Sequence, residues 1–359
     1  MKKILILLIL LIPFEVSAFS SDAKGAIVMD MDSGRVMYAK DVHYTQSVAS
    51  ISKIMTAIVA IENADVIDVV TLGDEVLKAY GSGIYVKKGE KIKLEDLLYG
   101  LMLRSGNDAA LVIANFVSGS VSDFVKLMNL KASALGMTDT IFNNPSGLDE
   151  KNEKGNFSSA YDMAILMSYA MKNKEFRKIV GTKKYVLKTN KNTYVWHNKN
   201  KLLNTYKYTT GGKTGFTKKA KRTLVTTASK DNLNLVVVTI NDGNDWSDHK
   251  KLYEEAFKKF KSYVLLDRGT ITVFGDNFYN NDTLYIKKDL KYPLLDIEKD
   301  VLTLKYSLIK KYDYKSFDKI GVAEIYIGDK KVNSTNIYIK ERAQKQDSFF
   351  ARLKNRFND

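Results

Sequence analysis

An apolar helix in the N-terminal part of the chain is the feature that most constrains the fold. Residues 49–61 have helical spacing, and apolar side chains cover most of the helix circumference, namely Ile54, Met55, Ile58, Val59 and Ile61. A helix that is hydrophobic on nearly all sides is buried by other elements. The chain must therefore enclose this segment, and its 359 residues, 45% of them apolar, are enough for two domains with sizeable cores.

A serine and a lysine stand three residues apart at the start of this helix. Residues i and i+3 are neighbours on a helix surface, so the Lys53 amine can reach the Ser50 hydroxyl if Ser50 lies in the first turn. The pattern Ser-x-x-Lys is weak by itself, because it recurs at Ser21, Ser247, Ser307 and Ser316. A capping serine beside a solvated lysine explains Ser50 equally well on local grounds.

The chain from residue 25 to 260 predicts a sheet flanked by helices. Gly25–Ala39 reads as a hairpin around an Asp-Ser-Gly turn. A second apolar run, 97–117, is interrupted by polar residues 104–108, which we expect to line a cavity. Loop composition marks 142–148. Further helices are expected at 121–135, 160–173 and 246–260, and short strands at 209–216, 222–229 and 234–240.

The C-terminal third changes character. Alternating segments and a turn at Gly328-Asp329 predict a separate small all-β domain, sandwich-like, over residues 264–340. Residues 341–359 read as a basic amphipathic tail, because Phe349, Phe350, Leu353 and Phe357 share one arc at helical spacing. Such a tail either lies in a membrane interface or docks on the β domain as a terminal helix.

The N-terminal end predicts export. Residues 1–18 combine two lysines, an apolar run and Val16-Ser-Ala18, which is the layout of a secretory signal, with an uncleaved anchor as the alternative. We therefore expect the protein on the outer face of the cytoplasmic membrane or in the cell wall. Cysteine is absent, which removes thiol nucleophiles and disulfides. The formal net charge of +15 then favours anionic wall polymers or lipid headgroups as partners over nucleic acid.

Three short motifs in a fixed order single out Ser50. They are Ser50-Ile-Ser-Lys53, Ser105-Gly-Asn107 and Lys213-Thr-Gly215. Ser-x-Asn recurs only at Ser334, beyond the one Lys-Thr-Gly, so only Ser21 and Ser50 can head the ordered set. Ser21 would lie at the frayed mature N-terminus, which leaves Ser50 as the candidate with structural support.

These motifs resemble those of the penicillin-binding proteins and serine β-lactamases, in which the three elements line one cleft. The flanking residues are similar to the D-alanyl-D-alanine carboxypeptidases among low-molecular-weight penicillin-binding proteins over about 23–260. The stretches that carry the resemblance are 30–34, 49–56, 97–110, 144–148 and 213–217. The resemblance implies an α/β (α+β) penicillin-binding/β-lactamase-like catalytic domain over 19–263, with an antiparallel sheet flanked by helices. It also implies peptidoglycan stem peptides as substrates and β-lactam antibiotics as covalent inhibitors.

The resemblance also implies a role for each matched residue. Ser50 attacks the carbonyl of the penultimate D-alanine, and Lys53 serves as the base when burial beside Lys213 lowers its pKa. Ser105 relays a proton to the leaving amine, and Asn107 offers its amide to the substrate and to Lys53. The remaining matched positions serve substrate binding. The N–H groups of Ser50 and Phe216 form the oxyanion hole, and Lys213 orients Ser105. Thr214 and Thr217, on either side of Gly215, bind the terminal carboxylate.

Two departures from the family pattern blur substrate preference. Phe216 stands where some relatives carry histidine, and Ala220-Lys-Arg-Thr-Leu224 replaces a more usual Ala-Gly-x-Cys-Leu. Two other functions stay open. One is a serine β-lactamase, although its glutamate-bearing deacylation loop is not recognisable, and the other is a non-catalytic wall-binding protein that uses the basic surface and the β domain.

Histidine and metal chemistry find little support. A Ser-His-Asp site would need His43, His197 or His249 near a serine, and none stands in a recognisable nucleophile motif. We expect His43 in a surface loop, His197 near the cleft without a catalytic role, and His249 on a helix surface. No His-x-x-x-His or clustered carboxylate spacing occurs, so the sequence predicts neither a metal nor a cofactor.

Overall fold

The computed structural model describes residues 19–149, 155–273, 278–279, 282–310 and 313–341. The predicted signal peptide, 1–18, lies outside the described residues, and so does the predicted tail beyond its first residue. Among the described residues no single helix is long and apolar enough to cross a bilayer. The two helices over 107–118 and 121–134 reach that length and composition only together, and they are bent by 86° at their junction.

Strands and helices alternate through the described chain. In order, the strands are β1 (Gly25–Asp30), β2 (Val36–Lys40), β3 (Gln46–Ser47), β4 (Val69–Thr71), β5 (Lys91–Lys93), β6 (Phe157–Ser158), β7 (Lys184–Lys188), β8 (Thr193–His197), β9 (Thr209–Thr217), β10 (Lys221–Lys230), β11 (Leu233–Ile240), β12 (Lys261–Leu266), β13 (Gly269–Ile271), β14 (Thr283–Ile286), β15 (Leu290–Leu294), β16 (Leu302–Leu308), β17 (Lys319–Ile327) and β18 (Lys330–Glu341). The α-helices are α1 (Lys53–Asn63), α2 (Leu94–Tyr99), α3 (Asn107–Ser118), α4 (Val121–Ala134), α5 (Ala160–Ala170), α6 (Lys174–Gly181), α7 (Leu202–Thr205) and α8 (Asp245–Lys259).

A five-stranded antiparallel sheet organises the first two thirds of the molecule. Its strand order is β2-β1-β11-β10-β9, so the N-terminal hairpin joins the last three strands of this region side by side. The predicted hairpin and the three predicted strands are confirmed. β9 is an edge strand of this sheet, and it carries Lys213, Thr214 and Gly215.

The two faces of the sheet are both covered. Because side chains alternate across a strand, Val236 and Val238 of β11 join the large core formed with α1 to α6, whereas Leu235 and Val237 pack with α8 on the other face. Residues 54–60 of α1 are almost fully buried in the large core. The expected enclosure of this helix is therefore confirmed.

Helix boundaries follow local hydrogen bonds. The predicted helix over 160–173 ends earlier, at Ala170, because the Asn173 side chain accepts a hydrogen bond from Phe176 N at 3.0 Å and caps α6 instead. The apolar run over 97–117 is not one helix. It comprises α2, a π-helical turn at Gly100–Arg104 and α3, with Ser105 at the break in a left-handed conformation.

The C-terminal region is β-rich, as expected. A five-stranded antiparallel sheet, in the order β13-β14-β18-β17-β16, packs against the β12-β15 pair across a small apolar core that includes Leu290, Tyr292 and Ile325. The predicted turn at Gly328-Asp329 joins β17 to β18. The predicted boundary between residues 263 and 264 falls inside β12, which pairs with β15.

Candidate active site

Ser50 lies in a tight turn at the head of α1. The turn is a 3-10 helix over Ala49–Ser52, and α1 begins directly after it at Lys53. The Ser50 and Lys53 side chains therefore lie on consecutive turns of one continuous helical segment. Ala49 has a left-handed backbone (φ 51°), a conformation that persists only where neighbours hold it. Thr223 of β10 is one such neighbour, since its hydroxyl donates to Val48 O at 2.9 Å.

Lys53 is completely buried and touches three oxygen atoms. Its Nζ lies 3.1 Å from Ser50 Oγ and 2.7 Å from Asn107 Oδ1, and it also donates to the backbone carbonyl of Ser146. The Asn107 amide can be oriented only one way. Its Nδ2 donates to the Tyr80 carbonyl at 2.6 Å, and a carbonyl only accepts, so Oδ1 must face Lys53.

These partners define where a neutral Lys53 would point its lone pair. Asn107 Oδ1 and Ser146 O are pure acceptors, so they take the two hydrogens of a neutral amine. The lone pair is then left for the third partner, the Ser50 hydroxyl. The geometry therefore suits removal of the Ser50 proton by Lys53.

Burial supplies the neutral amine. It is the main reason why the pKa of Lys53 falls from 10.5 to about 7, and the positive charge of Lys199 lowers this pKa further, while Asp108 opposes the shift. Lys213 was expected as the second cation, and the two amines do act on one another, because the charge of Lys53 lowers the pKa of Lys213. Lys199 follows β8 and lines the cleft beside Ser50, so its charge acts on Lys53 from the solvent side.

Ser105 and Lys213 form a second serine–lysine pair. Ser105 is 4% exposed, and Lys213 Nζ donates to its Oγ at 3.0 Å and to Thr214 O at 2.7 Å. Burial is the main reason why the pKa of Lys213 lies well below its usual range, and the positive charges of Lys53 and Lys199 lower it further. Two buried amines thus face two serine hydroxyls across one site.

The edge strand β9 lies directly against the Ser50 turn. A Cβ added to Gly215 would stand 3.1 Å from Ser50 N and would overlap Thr223 Oγ1. Glycine at this position therefore allows the backbone of β9 to approach the N–H groups at the head of α1. The N–H groups of Ser50 and Phe216 belong to these two adjoining segments.

A cleft of about 390 Å³ opens over this site. Its walls are formed by Ser50, Ser82, Ser105, Lys199, Lys201, Thr214, Gly215, Phe216, Arg222, Asp245 and Trp246. The Phe216 side chain is 65% exposed there. Thr217 is the one predicted site residue that engages elsewhere, since its Oγ1 accepts from Ala220 N at 3.0 Å in the β9–β10 turn. The other predicted site residues lie at this cleft or directly beneath it.

Sequence reasoning missed several supporting residues. Ser146 belongs to a turn, 144–148, that was predicted as a loop and as part of the resemblance, without a role at the site. The positive φ of Gly147 lets this turn sit against Ala49 O. Asp108 accepts from Ile84 N at 3.0 Å and from Tyr85 N at 2.7 Å, which fixes the segment that carries Ser82. An aspartate directly after Ser105-Gly-Asn107 was the available signal.

The histidines lie apart from Ser50. His43 is an exposed loop residue whose Nδ1 is 2.7 Å from Asp139 Oδ2, and His197 ends β8 with an exposed side chain. The placement of His249 on a helix surface was wrong. Its ring is fully buried between the Thr226 and Thr239 hydroxyls, because α8 packs that face onto the sheet. Within the described ranges, no group of three His, Cys, Asp or Glu could hold a metal ion.

Comparisons with known proteins agree on one family. A family model described as D-alanyl-D-alanine carboxypeptidase matches residues 13–244. The chain is 34% identical over 291 residues to the D-alanyl-D-alanine carboxypeptidase DacF of Bacillus subtilis, covering 75% of this chain and 74% of the relative. Among solved structures, it is similar to penicillin binding protein 5 from Haemophilus influenzae, with a TM-score of 0.75 and 26% identity over 90% of this chain and 97% of the other. It is also similar to a D-alanyl-D-alanine carboxypeptidase from Mycobacterium tuberculosis, with a TM-score of 0.64 and 31% identity over 67% and 92% of the two chains.

Proposed function

The chain belongs to the D-alanyl-D-alanine carboxypeptidase family, and we propose that it removes the terminal D-alanine from peptidoglycan stem pentapeptides through an acyl-enzyme on Ser50. It is a serine-type carboxypeptidase with a penicillin-binding fold. The observation that carries the assignment of Ser50 is the buried Lys53 amine, 3.1 Å from the Ser50 hydroxyl and saturated by acceptors on its other sides.

Acylation begins with the removal of one proton. Neutral Lys53 takes the proton of Ser50, and Oγ attacks the carbonyl carbon of the penultimate D-alanine. Negative charge develops on the carbonyl oxygen and is stabilised by the N–H groups of Ser50 and Phe216. The close approach of Gly215 to Ser50 N supports this arrangement, since it holds β9 next to the head of α1.

The leaving group needs a proton in the next step. Ser105 gives its proton to the departing D-alanine amine while Lys213 holds the Ser105 hydroxyl in place. The proton that Lys53 took from Ser50 then passes to Ser105, so that Lys53 is neutral again. The C–N bond breaks, free D-alanine leaves, and the remaining peptide stays esterified to Ser50. Water then attacks the ester with Lys53 again acting as the base, which restores the serine.

The cleft edge offers the substrate a strand to pair with. β9 is an edge strand, so on the cleft side part of its backbone has no strand partner among the described residues, and an extended peptide can align there. The Thr214 side chain lines the cleft and would contact the terminal carboxylate, as would Thr217 if its hydroxyl leaves Ala220 N. Asn107 has one amide hydrogen beyond its bond to Tyr80 O for the substrate.

We also propose export and membrane association. Residues 1–18 would act as the secretory signal and 341–359 as an interfacial anchor, both on sequence grounds. Removing residues 347–359 is expected to move the protein from the membrane fraction to the soluble fraction. An unchanged distribution would argue against the tail as the anchor.

Release of D-alanine from a soluble pentapeptide tests the proposed function. Wild type should release it and Ser50→Ala should not, while both give the same circular dichroism spectrum. Incubation with penicillin separates the alternatives: a carboxypeptidase stays acylated, a β-lactamase turns the drug over within seconds, and a non-catalytic wall-binding protein gains no mass. Release of D-alanine by Ser50→Ala at the wild-type rate would refute the assignment of the nucleophile.

A further inference from the structure

The positive charge of the chain is concentrated in one segment. Between Glu175 and Asp231 there are fifteen Lys and Arg residues and no Asp or Glu. Subtracting these fifteen from the total of 56 leaves 41 Lys and Arg, which equals the 41 Asp and Glu of the chain. The whole formal charge of +15 can thus be attributed to this acid-free segment.

The acid-free segment builds one wall of the cleft. It includes the β7–β8 hairpin, α7, β9 and β10, and it places Lys199, Lys201 and Arg222 at the cleft surface with Ser50. Asn198 N donates to Lys183 O at 2.9 Å, and Lys184 pairs with His197 across the hairpin. These contacts place the backbone of Lys183 and Lys184 beside the segment that leads to Lys199.

Little negative charge offsets these cations. Asp245 is the carboxylate at the cleft surface, and Arg222 already engages it with two hydrogen bonds, at 3.0 Å and 2.7 Å. Within the part of the chain that the structure describes, neither Lys199 nor Lys201 makes an ion pair. Lys199 Nζ has only a long contact, 3.4 Å, with Ser82 Oγ. Two exposed ammonium groups therefore face the space beside Ser50 without a counter-charge.

We infer that the substrates of this cleft are polyanionic stem peptides, which carry free carboxylates on internal residues in addition to the terminal one. The inference rests on the proposed function. A cleft lined by one sign of charge focuses the field and raises the local concentration of oppositely charged ligands. Lys199 and Lys201 would bind internal carboxylates that an amidated peptide lacks.

A pair of synthetic pentapeptides tests this inference. Both end in D-alanyl-D-alanine, and they differ only in a free carboxylate or a carboxamide on one internal residue. At about 25 mM KCl we expect kcat/KM to be about tenfold higher for the free carboxylate, mainly through KM. At about 250 mM KCl, where the Debye length falls to about 6 Å, most of this preference should disappear.

Lys201→Gln is the informative variant, because Lys201 contributes charge without acting on Lys53. It should lose several-fold of the preference for the free carboxylate, through a higher KM for that peptide. Lys201→Arg, which keeps the charge, should retain the preference. Lys319→Gln is the matched control, since it removes an exposed lysine charge from β17 in the C-terminal region. It should behave as wild type.

The outcomes separate this inference from the proposed function. Equal kcat/KM for the two peptides at both salt concentrations, with D-alanine release intact, would overturn the inference alone. A preference that Lys201→Gln does not reduce would also overturn it. A further outcome would also overturn the inference: kcat/KM is equal for the two peptides, and replacing Lys201 changes only the salt-sensitive retention of the protein on a phosphate-rich wall polymer. The lysines would then form a docking surface for that polymer. Absence of D-alanine release from both peptides would instead contradict the proposed function.

Discussion

Lys53 Nζ lies 3.1 Å from Ser50 Oγ, and the lysine has no solvent exposure. Its other two partners, Asn107 Oδ1 and Ser146 O, can only accept hydrogen bonds, so they orient the amine toward the serine. Burial makes the neutral form accessible near pH 7, because the pKa is lowered to about 7. The two effects together suit Lys53 to the proposed role of general base.

Replacing Lys53 with arginine separates the role of a general base from the role of a positive charge. Arginine keeps a positive charge and hydrogen-bond donors but does not lose its proton in proteins. We expect both Lys53→Arg and Lys53→Met to acylate with penicillin about 10² to 10⁴ times more slowly than wild type, which is the usual contribution of a general base. Stopped-flow labelling measures the rate, and near-wild-type acylation by Lys53→Arg would show that the lysine serves only as a charge.

Gly215 is required for the approach of β9 to the Ser50 turn. In Gly215→Ala the new methyl group would overlap Thr223 Oγ1 and press on Ser50 N, so the nucleophile and the oxyanion site would shift apart. A displacement of this kind costs about 100-fold in acylation rate. Gly243→Ala is the control, because its added Cβ meets nothing within 4 Å. Equal acylation rates in the two variants would contradict this account.

Buried His249 makes stability fall in acid. Burial lowers its pKa from 6.5 to about 3, so between these values the unfolded chain binds a proton that the folded chain does not. Folding stability is therefore lost as the pH drops from about 6 toward 3, by up to about 1.4 kcal/mol for each pH unit.

His249→Gln removes this titration and provides the comparison. Chemical denaturation at about pH 7 and about pH 4.5 should show a smaller loss of unfolding free energy in the variant than in wild type. The carboxylates contribute equally to both proteins, so the difference isolates the histidine. Parallel losses in the two proteins would mean that His249 does not titrate in this way.

Arg35 ties the N-terminal hairpin to the C-terminal β region. Its guanidinium bonds both carboxylate oxygens of Glu298, at 2.6 Å and 2.8 Å, and lies over the Phe260 and Tyr292 rings. Both charged side chains are mostly buried, so Arg35→Met, which leaves Glu298 unpaired, should cost about 3 to 5 kcal/mol in unfolding free energy.

The exposed pair Lys126–Asp123 is the control for Arg35. Its two side chains are 70% and 54% exposed, so Lys126→Met should cost less than about 1 kcal/mol. Thermal and chemical denaturation measure both changes. If Arg35→Met is no more costly than Lys126→Met, the contact does not hold the two regions together.

The main architecture was predictable because its signals are local. Short β-rich runs and the turn at 230–233 predict β10 and β11, and an apolar circumference predicts the burial of α1. The order of the three motifs predicts which serine and lysines meet in one cleft. Each of these inferences uses neighbouring residues or chain order, which a sequence contains directly.

The remainder depends on contacts between distant segments. Nothing local to Asn107 reveals that Tyr80 O fixes its amide, and nothing local to Lys53 reveals the carbonyl of Ser146. The error at His249 was avoidable, because it shares the spacing of Leu252, Tyr253 and Ala256 on the buried face of α8.

The pH dependence of acylation tests the central claim most directly. The rate of acyl-enzyme formation with a fluorescent penicillin, measured in single turnover from about pH 5 to about pH 9, should rise along one titration curve with an apparent pKa of about 7. The rate is low in acid because protonated Lys53 cannot accept the Ser50 proton. A flat profile, or a rate that stays low through about pH 7 and still climbs at about pH 9, as the ordinary lysine pKa of 10.5 would give, would contradict the account.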